Sequence, residues 1–364
     1  MRNMTRRFSA AHTWAGFTAA VLMALGVVSE TRAGGVTYFF GDNASITNAS
    51  LWLDGQLPSA KGDTSYHGWI FNKRVALLDA YMSVWSVEVG RYRDFDPGPT
   101  LIIQNGAHLD AYQVSTGDYA GTGTNSTFMI EQGGTITFDW TPGFAYPHSG
   151  SPSLAEQGLY IIGGTLNAKG GYSGSGRVRM DGGTFNITDF NPDGIQEVTI
   201  TDKGGTFDIT GTKTFNAGWA NASGATTGLV TKAGAGTLVL GGTITYGGNT
   251  MVNEGTLNLH TNGVWRFKPS ADGSTCNRIG GVGTLQLDGT LLFDLAGLKG
   301  GSWKIVEVET LAETYGATFA VSSTNGPFTK SGSVWSRDEN GTTFTFSQAT
   351  GVLKTPTGTV ISIR

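Results

Sequence analysis

A five-residue pattern, Gly-Thr-φ-x-φ with φ mostly apolar, recurs along the chain and restricts its possible folds more than any other feature. The copies occupy residues 134–138, 164–168, 183–187, 205–209, 236–240, 242–246, 255–259, 283–287 and 289–293. Residues two positions apart lie on one face of a strand, so the φ residues face one way while Thr and x face the other. The leading glycine, often doubled, is expected to supply the positive φ of a sharp turn. Each copy therefore predicts a turn followed by a strand with one buried face.

The spacing of the copies indicates how these strands are arranged. When copies that follow each other closely are counted as neighbours within one coil, the Thr-to-Thr steps from Thr135 to Thr284 are 30, 19, 22, 31, 19 and 28 residues. Periods of this length are typical of solenoids, in which a core forms only when coils stack. The spacing predicts an all-β parallel β-helix. A β-sandwich or propeller, with antiparallel strands joined by hairpins, is the alternative.

This architecture leads to further structural expectations. The equivalent apolar residues of successive units should be buried in one line: Leu166, Phe185, Phe207, Leu238, Leu257 and Leu285. Residues 101–109 carry a variant of the unit around Gly106, so the helix should begin before them. The aromatic, Pro-containing segment 140–158 is expected to form a corner loop. The longer alternating strands of residues 301–354 are expected to cap the last coil and cover its edges.

Composition excludes several classes of protein. The chain has 56 glycines among 364 residues and only 14% charged residues, yet 39% are hydrophobic, which argues against disorder, and no Gly-X-Y period suggests collagen. The formal charge of −4 lacks the basic excess that phosphate contacts require, so nucleic acid is not expected as a partner. A single cysteine, Cys276, allows neither an internal disulfide nor a paired-Cys metal site, and we expect it to fill space in the interior.

The first 33 residues have the pattern of a secretory signal peptide. Arg2, Arg6 and Arg7 precede an apolar run, and residues 31–33 end in Ala33, a small residue suited to cleavage. The apolar run of about 14 residues is shorter than the ~20 needed to span a bilayer, so we expect no transmembrane span in the mature chain. The expected organisation is a signal peptide at 1–33, a β-helix at 34–300 and a β cap at 301–364. We expect the mature protein to be secreted or on the outer cell surface.

One stretch resembles a known repeat family. Residues 232–259 read KAGAGTLVLGGTITYGGNTMVNEGTLNL and resemble the autotransporter-associated β-strand repeat of bacterial passenger domains, which the other Gly-Thr units match more loosely. Residues 51–64 resemble an opening coil of such proteins, and residues 301–353 are similar to the closing segment of secreted relatives in Verrucomicrobia-like bacteria. The resemblance implies a right-handed parallel β-helix displayed outside the cell, and it brings no catalytic residues. Residues 355–364 depart from the pattern, since they contain no Pro-Glu-Pro sorting tail.

Two groups of residues are candidate ligand-binding sites. Asp189, Asn191 and Asp193 match the first half of a calcium loop, although Ile200 stands where the loop needs a bidentate acid. The alternative is an Asx turn between coils. Trp140 and Tyr146, with Phe144 and Tyr160 nearby, are candidates for stacking against sugar rings, or for packing onto the flank of a coil. Calcium is the one cofactor that the sequence suggests.

The evidence for catalytic residues is weak. The pairs Asp181 with Asp208 and Glu131 with Asp139 are candidates for glycoside hydrolysis if stacking brings them together. The four histidines after the signal segment are scattered, namely His67, His108, His148 and His260. Arg177 and Arg179 flank Val178 and should share one strand face.

The sequence favours a non-catalytic secreted or cell-surface β-solenoid that acts as an adhesin or an envelope structural protein. The alternative is a carbohydrate-active β-helix protein, either a lyase or hydrolase or a glycan-binding module. The candidate partners are a polysaccharide or cell-surface glycan and other envelope proteins.

Overall fold

The structure is a computed structural model that describes residues 35–63, 65–70, 74–90, 99–116, 126–144, 158–170, 176–309, 311 and 314–355. The predicted signal peptide at 1–33 lies outside the described residues. Almost all regular structure is β-strand, with two short 3-10 helices at Ala49–Leu51 and Leu53–Gly55. No helix within the described ranges is long and apolar enough to cross a membrane.

The strands form two long sheets, a third sheet of four strands and a short antiparallel sheet of five strands. The first sheet contains, in spatial order, β1 (Gly35–Phe39), β3 (Tyr66–Ile70), β5 (Tyr81–Val89), β7 (His108–Thr116), β9 (Thr135–Phe144), β11 (Thr165–Ala168), β13 (Thr184–Ile187), β15 (Gly205–Ile209), β18 (Val230–Ala233), β21 (Thr250–Val252), β24 (Ile279–Gly281) and β28 (Val306–Val308). The second sheet contains β2 (Ala44–Ser45), β4 (Val75–Leu78), β6 (Thr100–Ile103), β8 (Thr127–Ile130), β10 (Gly158–Ile161), β12 (Gly176–Met180), β14 (Ile195–Ile200), β17 (Gly218–Asn221), β20 (Thr243–Ile244), β23 (Val264–Phe267), β26 (Thr290–Phe293), β29 (Ala320–Ser323) and β30 (Gly326–Pro327). The third sheet contains β16 (Thr212–Phe215), β19 (Thr237–Leu240), β22 (Thr256–Leu259) and β25 (Thr284–Leu287). The short sheet contains β27 (Ser302–Lys304), β34 (Val352–Lys354), β33 (Thr342–Ser347), β32 (Val334–Glu339) and β31 (Thr329–Ser331).

The chain alternates between the first and second sheets, so each strand pairs in parallel with the strand one coil further on. Thr165 lies beside Thr184, and Thr184 lies beside Thr206. The Gly-Thr units thus stack in register, and the predicted parallel β-helix is confirmed. Apart from the terminal β29–β30 hairpin, the described strands of the first three sheets pair in parallel, so the sandwich and propeller alternatives are wrong.

The coils change from two-sided to three-sided partway along the helix. Up to β14 each coil contributes a strand to two sheets, and from β15 onward a strand of the third sheet stands between them. The six apolar residues expected in one line are at most 1% exposed, so their burial is confirmed, but they form two lines. Leu166, Phe185 and Phe207 stack in the first sheet, whereas Leu238, Leu257 and Leu285 stack in the third.

The single-line expectation was wrong because the five-residue unit has the same local form in every sheet. The 31-residue step from Thr206 to Thr237 is not one coil, since Thr206 pairs with Thr231 and Thr237 belongs to the third sheet. An aromatic cluster fills the wider cross-section where the third sheet begins. Trp219 lies 4.5 Å from Phe207 and 5.4 Å from Phe215 between ring centroids.

The glycines have two separate roles that the sequence analysis merged. At Gly133-Gly134 the first glycine has a φ of +78°, and the second, which opens the unit, does not lie in the left-handed region. A Cβ on Gly134 would stand 2.6 Å from the carbonyl oxygen of Ile103 in the preceding coil. The leading glycine of this unit is therefore required by the close approach of two coils, and its neighbour makes the turn.

The two kinds of corner differ in length. Connections from the second sheet back to the first contain only three or four residues between β6 and β15, as between Ile161 and Thr165. Connections from the first sheet to the second are longer and more variable, with ten residues between β7 and β8 and thirteen between β9 and β10. Between β6 and β15, variation in coil length is therefore confined to one corner, and the other corner keeps the coils in register.

The segment 140–158 was expected to be a corner loop. Its first part is instead the end of β9, which pairs with β7 as far as Phe144. Residues 145–157 lie outside the described residues.

Aromatic side chains pack against the core at both ends of the stack. At the start, Trp52 is 2% exposed, packs 5.3 Å from Phe39 and donates a hydrogen bond of 2.7 Å from Nε1 to the Ile46 carbonyl. At the other end the short antiparallel sheet packs Phe346 against Phe293 of the last coils, with 5.8 Å between the ring centroids. The first and second sheets continue to β28 and β29, beyond residue 300, while β27 already belongs to the short sheet.

One core position holds a charged residue. Lys232 continues the buried column of the first sheet between Phe207 and Val252, and it is 0% exposed. Its Nζ donates hydrogen bonds to the carbonyl oxygens of Ala233 (2.8 Å), Gly234 (2.7 Å) and Glu254 (3.0 Å). Burial lowers the pKa of Lys232 below its ordinary value, while the Asp208 and Glu254 carboxylates oppose that shift. The ammonium group fills the inner side of the corner between the first and third sheets.

Candidate functional site

The proposed calcium loop connects β13 to β14 and is anchored by its apolar residues. Phe190 is fully buried and its ring lies 5.8 Å from that of Phe138. The side-chain oxygen of Asn191 accepts a hydrogen bond of 3.1 Å from the backbone N–H of Asp193, which is the Asx turn named as the alternative. Asp189 and Asp193 are exposed. Among the described residues no group of three or more His, Cys, Asp or Glu side chains could hold a metal ion. Calcium binding here stays a prediction.

The predicted aromatic platform is not brought together by the described residues. The backbone of Trp140 pairs with that of Gln113 inside β9, while Tyr146 and His148 lie outside the described residues. Tyr160 is 8% exposed and lies under the guanidinium of Arg179, 5.5 Å from the ring centroid.

The carboxylate pairs considered for hydrolysis are not seen in contact. Asp181 accepts a hydrogen bond of 2.6 Å from Thr201 and pairs with Lys203 at 3.4 Å in the next coil. Asp208 pairs in register with Asn186 of the preceding coil. Asn186 is five residues beyond Asp181 in the sequence, so Asp208 and Asp181 are not neighbours in the stack. Glu131 lies in the turn before β9 and Asp139 in the middle of β9, and the part of the strand from Thr135 to Asp139 alone spans about 13 Å.

Arg177 and Arg179 share the outer face of β12, as predicted. Arg177 pairs with Glu197 of the next coil at 2.7 Å. Cys276 packs half-buried against the core, and burial raises the pKa of its thiol to about 12. The thiol therefore stays protonated at neutral pH, consistent with the expected filling role.

Aromatic side chains lie together on the outer face of the first sheet, at its first coils. Tyr81 is 62% exposed and its ring makes an edge contact with His108 of the next coil, at 5.5 Å between centroids. Trp85, four residues along β5, stacks on Tyr112 with 4.1 Å between centroids and 8° between planes. We call these four residues, together with the polar pair Ser83 and Asp110 between them, the aromatic strip.

A charged cluster borders the aromatic strip. Lys61, from the segment before β3, lies 2.7 Å from Asp110 and 2.9 Å from Asp139, and Lys169 lies 3.8 Å from Asp139. Partial burial works to lower the pKa of Lys61, but the hydrogen bonds to Asp110 and Asp139 outweigh it and raise the pKa above its ordinary value. Two lysines are thus matched by two carboxylates, and the four charges balance.

Beyond the strip the same face is polar and internally hydrogen-bonded. The Nε2 of His108 lies 3.0 Å from the Thr137 hydroxyl, Asn167 donates to the same hydroxyl at 3.0 Å, and Asn186 donates to Asn167 at 2.7 Å. This polar ladder spans four coils. The hydrogen bonds hold each outward side chain in one orientation.

The strip was missed because its members are 27 residues apart in sequence, as Tyr81 and His108 or Trp85 and Tyr112 are. Alternation in β5 and β7 does place Tyr81, Ser83 and Trp85 on one face. Aligning the two strands at the 27-residue coil step would have shown the aromatic contacts.

A second surface feature lies at the far end of the same sheet. An open groove of about 390 Å³ runs over Gly280 and Gly281, between Met251 and Val308. Val282 beside it is 71% exposed, and Arg278 pairs with Glu307 across it at 2.8 Å.

Comparison with known proteins gave no match to a family model, a curated protein or a solved structure.

Proposed function

We propose that this protein is a non-catalytic, secreted or cell-surface β-solenoid that acts as an adhesin or as a structural component of the cell envelope. The observation that carries the proposal is that outward-facing charged side chains form ion pairs between neighbouring coils. Ion pairs join neighbouring coils at Arg177–Glu197, Lys203–Asp181, Arg266–Asp294 and Arg278–Glu307. Each such exposed pair contributes only about 0–1 kcal/mol, but all four link one coil to the next and none brings charges together at a single site.

The dimensions of the stack suit a spacer or a contact surface. The twelve strands of the first sheet, at about 4.8 Å between neighbours, give the stack a length of roughly 53 Å. The antiparallel cap packs against the last coils and opposes strand pairing between chains at that end.

The test combines localisation with chemistry. Cells that produce the protein are fractionated, and purified residues 34–364 are incubated with polysaccharides and assayed for reducing or unsaturated ends. We expect association with the outer surface or the medium, and no product release. A matched pair of variants sharpens the test, namely Asp181→Asn and deletion of residues 184–205, which removes one coil and joins Gly183 to Thr206. The deletion should weaken surface association, and Asp181→Asn should leave it intact. Product release that a single carboxylate substitution abolishes would contradict the proposal.

A glycan-binding role is the second candidate, and the aromatic strip favours it. Large exposed aromatic side chains on a rigid strand surface are typical of interaction sites. The mutual stacking of Trp85 and Tyr112 also fixes the two rings before any ligand arrives, which lowers the entropy lost on binding.

A further inference from the structure

The aromatic strip has a regular order along its two strands. Tyr81 with His108 forms one end, Ser83 with Asp110 the middle, and Trp85 with Tyr112 the other end. Tyr81 and Trp85 are four residues apart on an extended strand, so about 13 Å separates them. Flat apolar rings thus flank a short polar stretch, all on one outward face.

This order matches the surface of a saccharide. A sugar ring whose substituents are equatorial has flat C–H faces and a hydroxyl-bearing rim. The C–H faces pack on aromatic rings, and the rim hydroxyls bond to side chains such as Ser83 and Asp110. A span of about 13 Å accommodates a short oligosaccharide segment.

The charges next to the strip select among glycans. Lys61 and Lys169 are already paired with Asp110 and Asp139. The two carboxylates balance the two lysines, so the cluster offers no net positive charge to attract a uronic acid. A neutral glycan leaves the cluster undisturbed.

We propose that the aromatic strip of β5 and β7 is a binding site for a neutral, equatorially linked glycan, with the exposed Tyr81 as its stacking position and the stacked Trp85–Tyr112 pair as its apolar border. The proposal rests on the glycan-binding form of the proposed function. Tyr81 is the more accessible of the two rings, whereas Trp85 is held by Tyr112.

The test uses residues 34–364 with cellohexaose in titration calorimetry, and with hydroxyethyl cellulose and polygalacturonate in affinity gels. We expect binding to the two neutral probes and none to polygalacturonate. Tyr81→Ser and Trp85→Leu should each raise the Kd about tenfold. Tyr81→Phe keeps the ring and should stay within about threefold of the wild type. Val282→Ser, an exposed apolar residue at the far end of the same sheet, is the matched control and should also bind normally.

Three results would overturn the site: no wild-type binding to cellohexaose, equal affinity in Tyr81→Ser, or preference for polygalacturonate. If Trp85→Leu fails to fold by circular dichroism, Tyr81→Ser still decides the question because Tyr81 is exposed. Failure of the site leaves the scaffold proposal standing if surface association persists, whereas release of sugar ends would contradict the scaffold proposal separately.

Discussion

Replacing Lys232 by Met tests whether a buried ammonium group holds the corner where the third sheet begins. Methionine keeps the length and volume of the side chain, and its neighbours in the column, Phe207 and Val252, are apolar. The substitution leaves three carbonyl oxygens, those of Ala233, Gly234 and Glu254, without this donor. Each unsatisfied buried polar group costs about 1–3 kcal/mol. Removing the buried charge also removes its desolvation cost, which offsets part of the total for the three carbonyl groups. We expect a net loss of about 3–5 kcal/mol in the free energy of unfolding.

The assay is urea unfolding followed by circular dichroism and by tryptophan fluorescence, and coincidence of the two transitions justifies a single free energy. Lys213→Met is the matched control. Lys213 stands in register with Leu238 at the start of the third sheet but is only half-buried, and we expect a change within about 0.5 kcal/mol. A Lys232→Met protein as stable as the wild type, or more stable, would refute the reasoning, because the corner would then not need the ammonium.

The same pair of proteins gives a pH test. Burial lowers the pKa of Lys232, so between its folded value and the unfolded value of about 10.4 the unfolded chain binds more protons than the folded one. The Lys232 contribution to stability therefore rises with pH across that interval. The stability difference between wild type and Lys232→Met should widen as the pH rises toward about 10.4, and a narrowing difference would contradict the assigned direction.

Phe207→Ala should lower the free energy of unfolding by about 3–5 kcal/mol through lost burial and a cavity, whereas the neighbouring outward Thr206→Ala should change it little. In the cap, burial works to raise the pKa of Glu339, but hydrogen bonds from Ser323, Asn325 and Arg337 outweigh it and lower the pKa. Its stabilisation should be present above pH ~4.3 and lost as pH falls through the folded pKa, and Glu339→Gln should remove that acid dependence of the urea midpoint. If Asp189, Asn191 and Asp193 bind calcium, millimolar calcium should raise the melting temperature relative to chelator, and an unchanged value in both would end that hypothesis.

The sequence was sufficient for the strands and for parallel stacking, because the Gly-Thr unit encodes a turn, a close approach and a buried face within five residues. It was not sufficient to assign a unit to a sheet. The units that contain Leu166 and Leu238 have the same local pattern, and only the number of turns in a coil distinguishes the first sheet from the third. That number depends on stacking against neighbouring coils.

The aromatic strip, too, could be predicted only in part. The strands β5 and β7 could be predicted from alternation, but the contact of Trp85 with Tyr112 depends on coil register, which no local pattern encodes. Lys232 is similar, since its sequence neighbours are unremarkable and its three acceptors include Glu254 from the following coil.

The unequal corners have a consequence for how such a chain can change over generations. Residues can be added or lost where the first sheet passes to the second, because the paired strands on either side keep their partners. An insertion at the opposite corner would displace glycines such as Gly134, whose position against Ile103 tolerates no Cβ. Insertions and deletions are thus tolerated mainly on one side of the two-sided coils. Between β6 and β15 these longer connections are therefore the preferred sites for grafting foreign peptides for display, in up to one copy per coil.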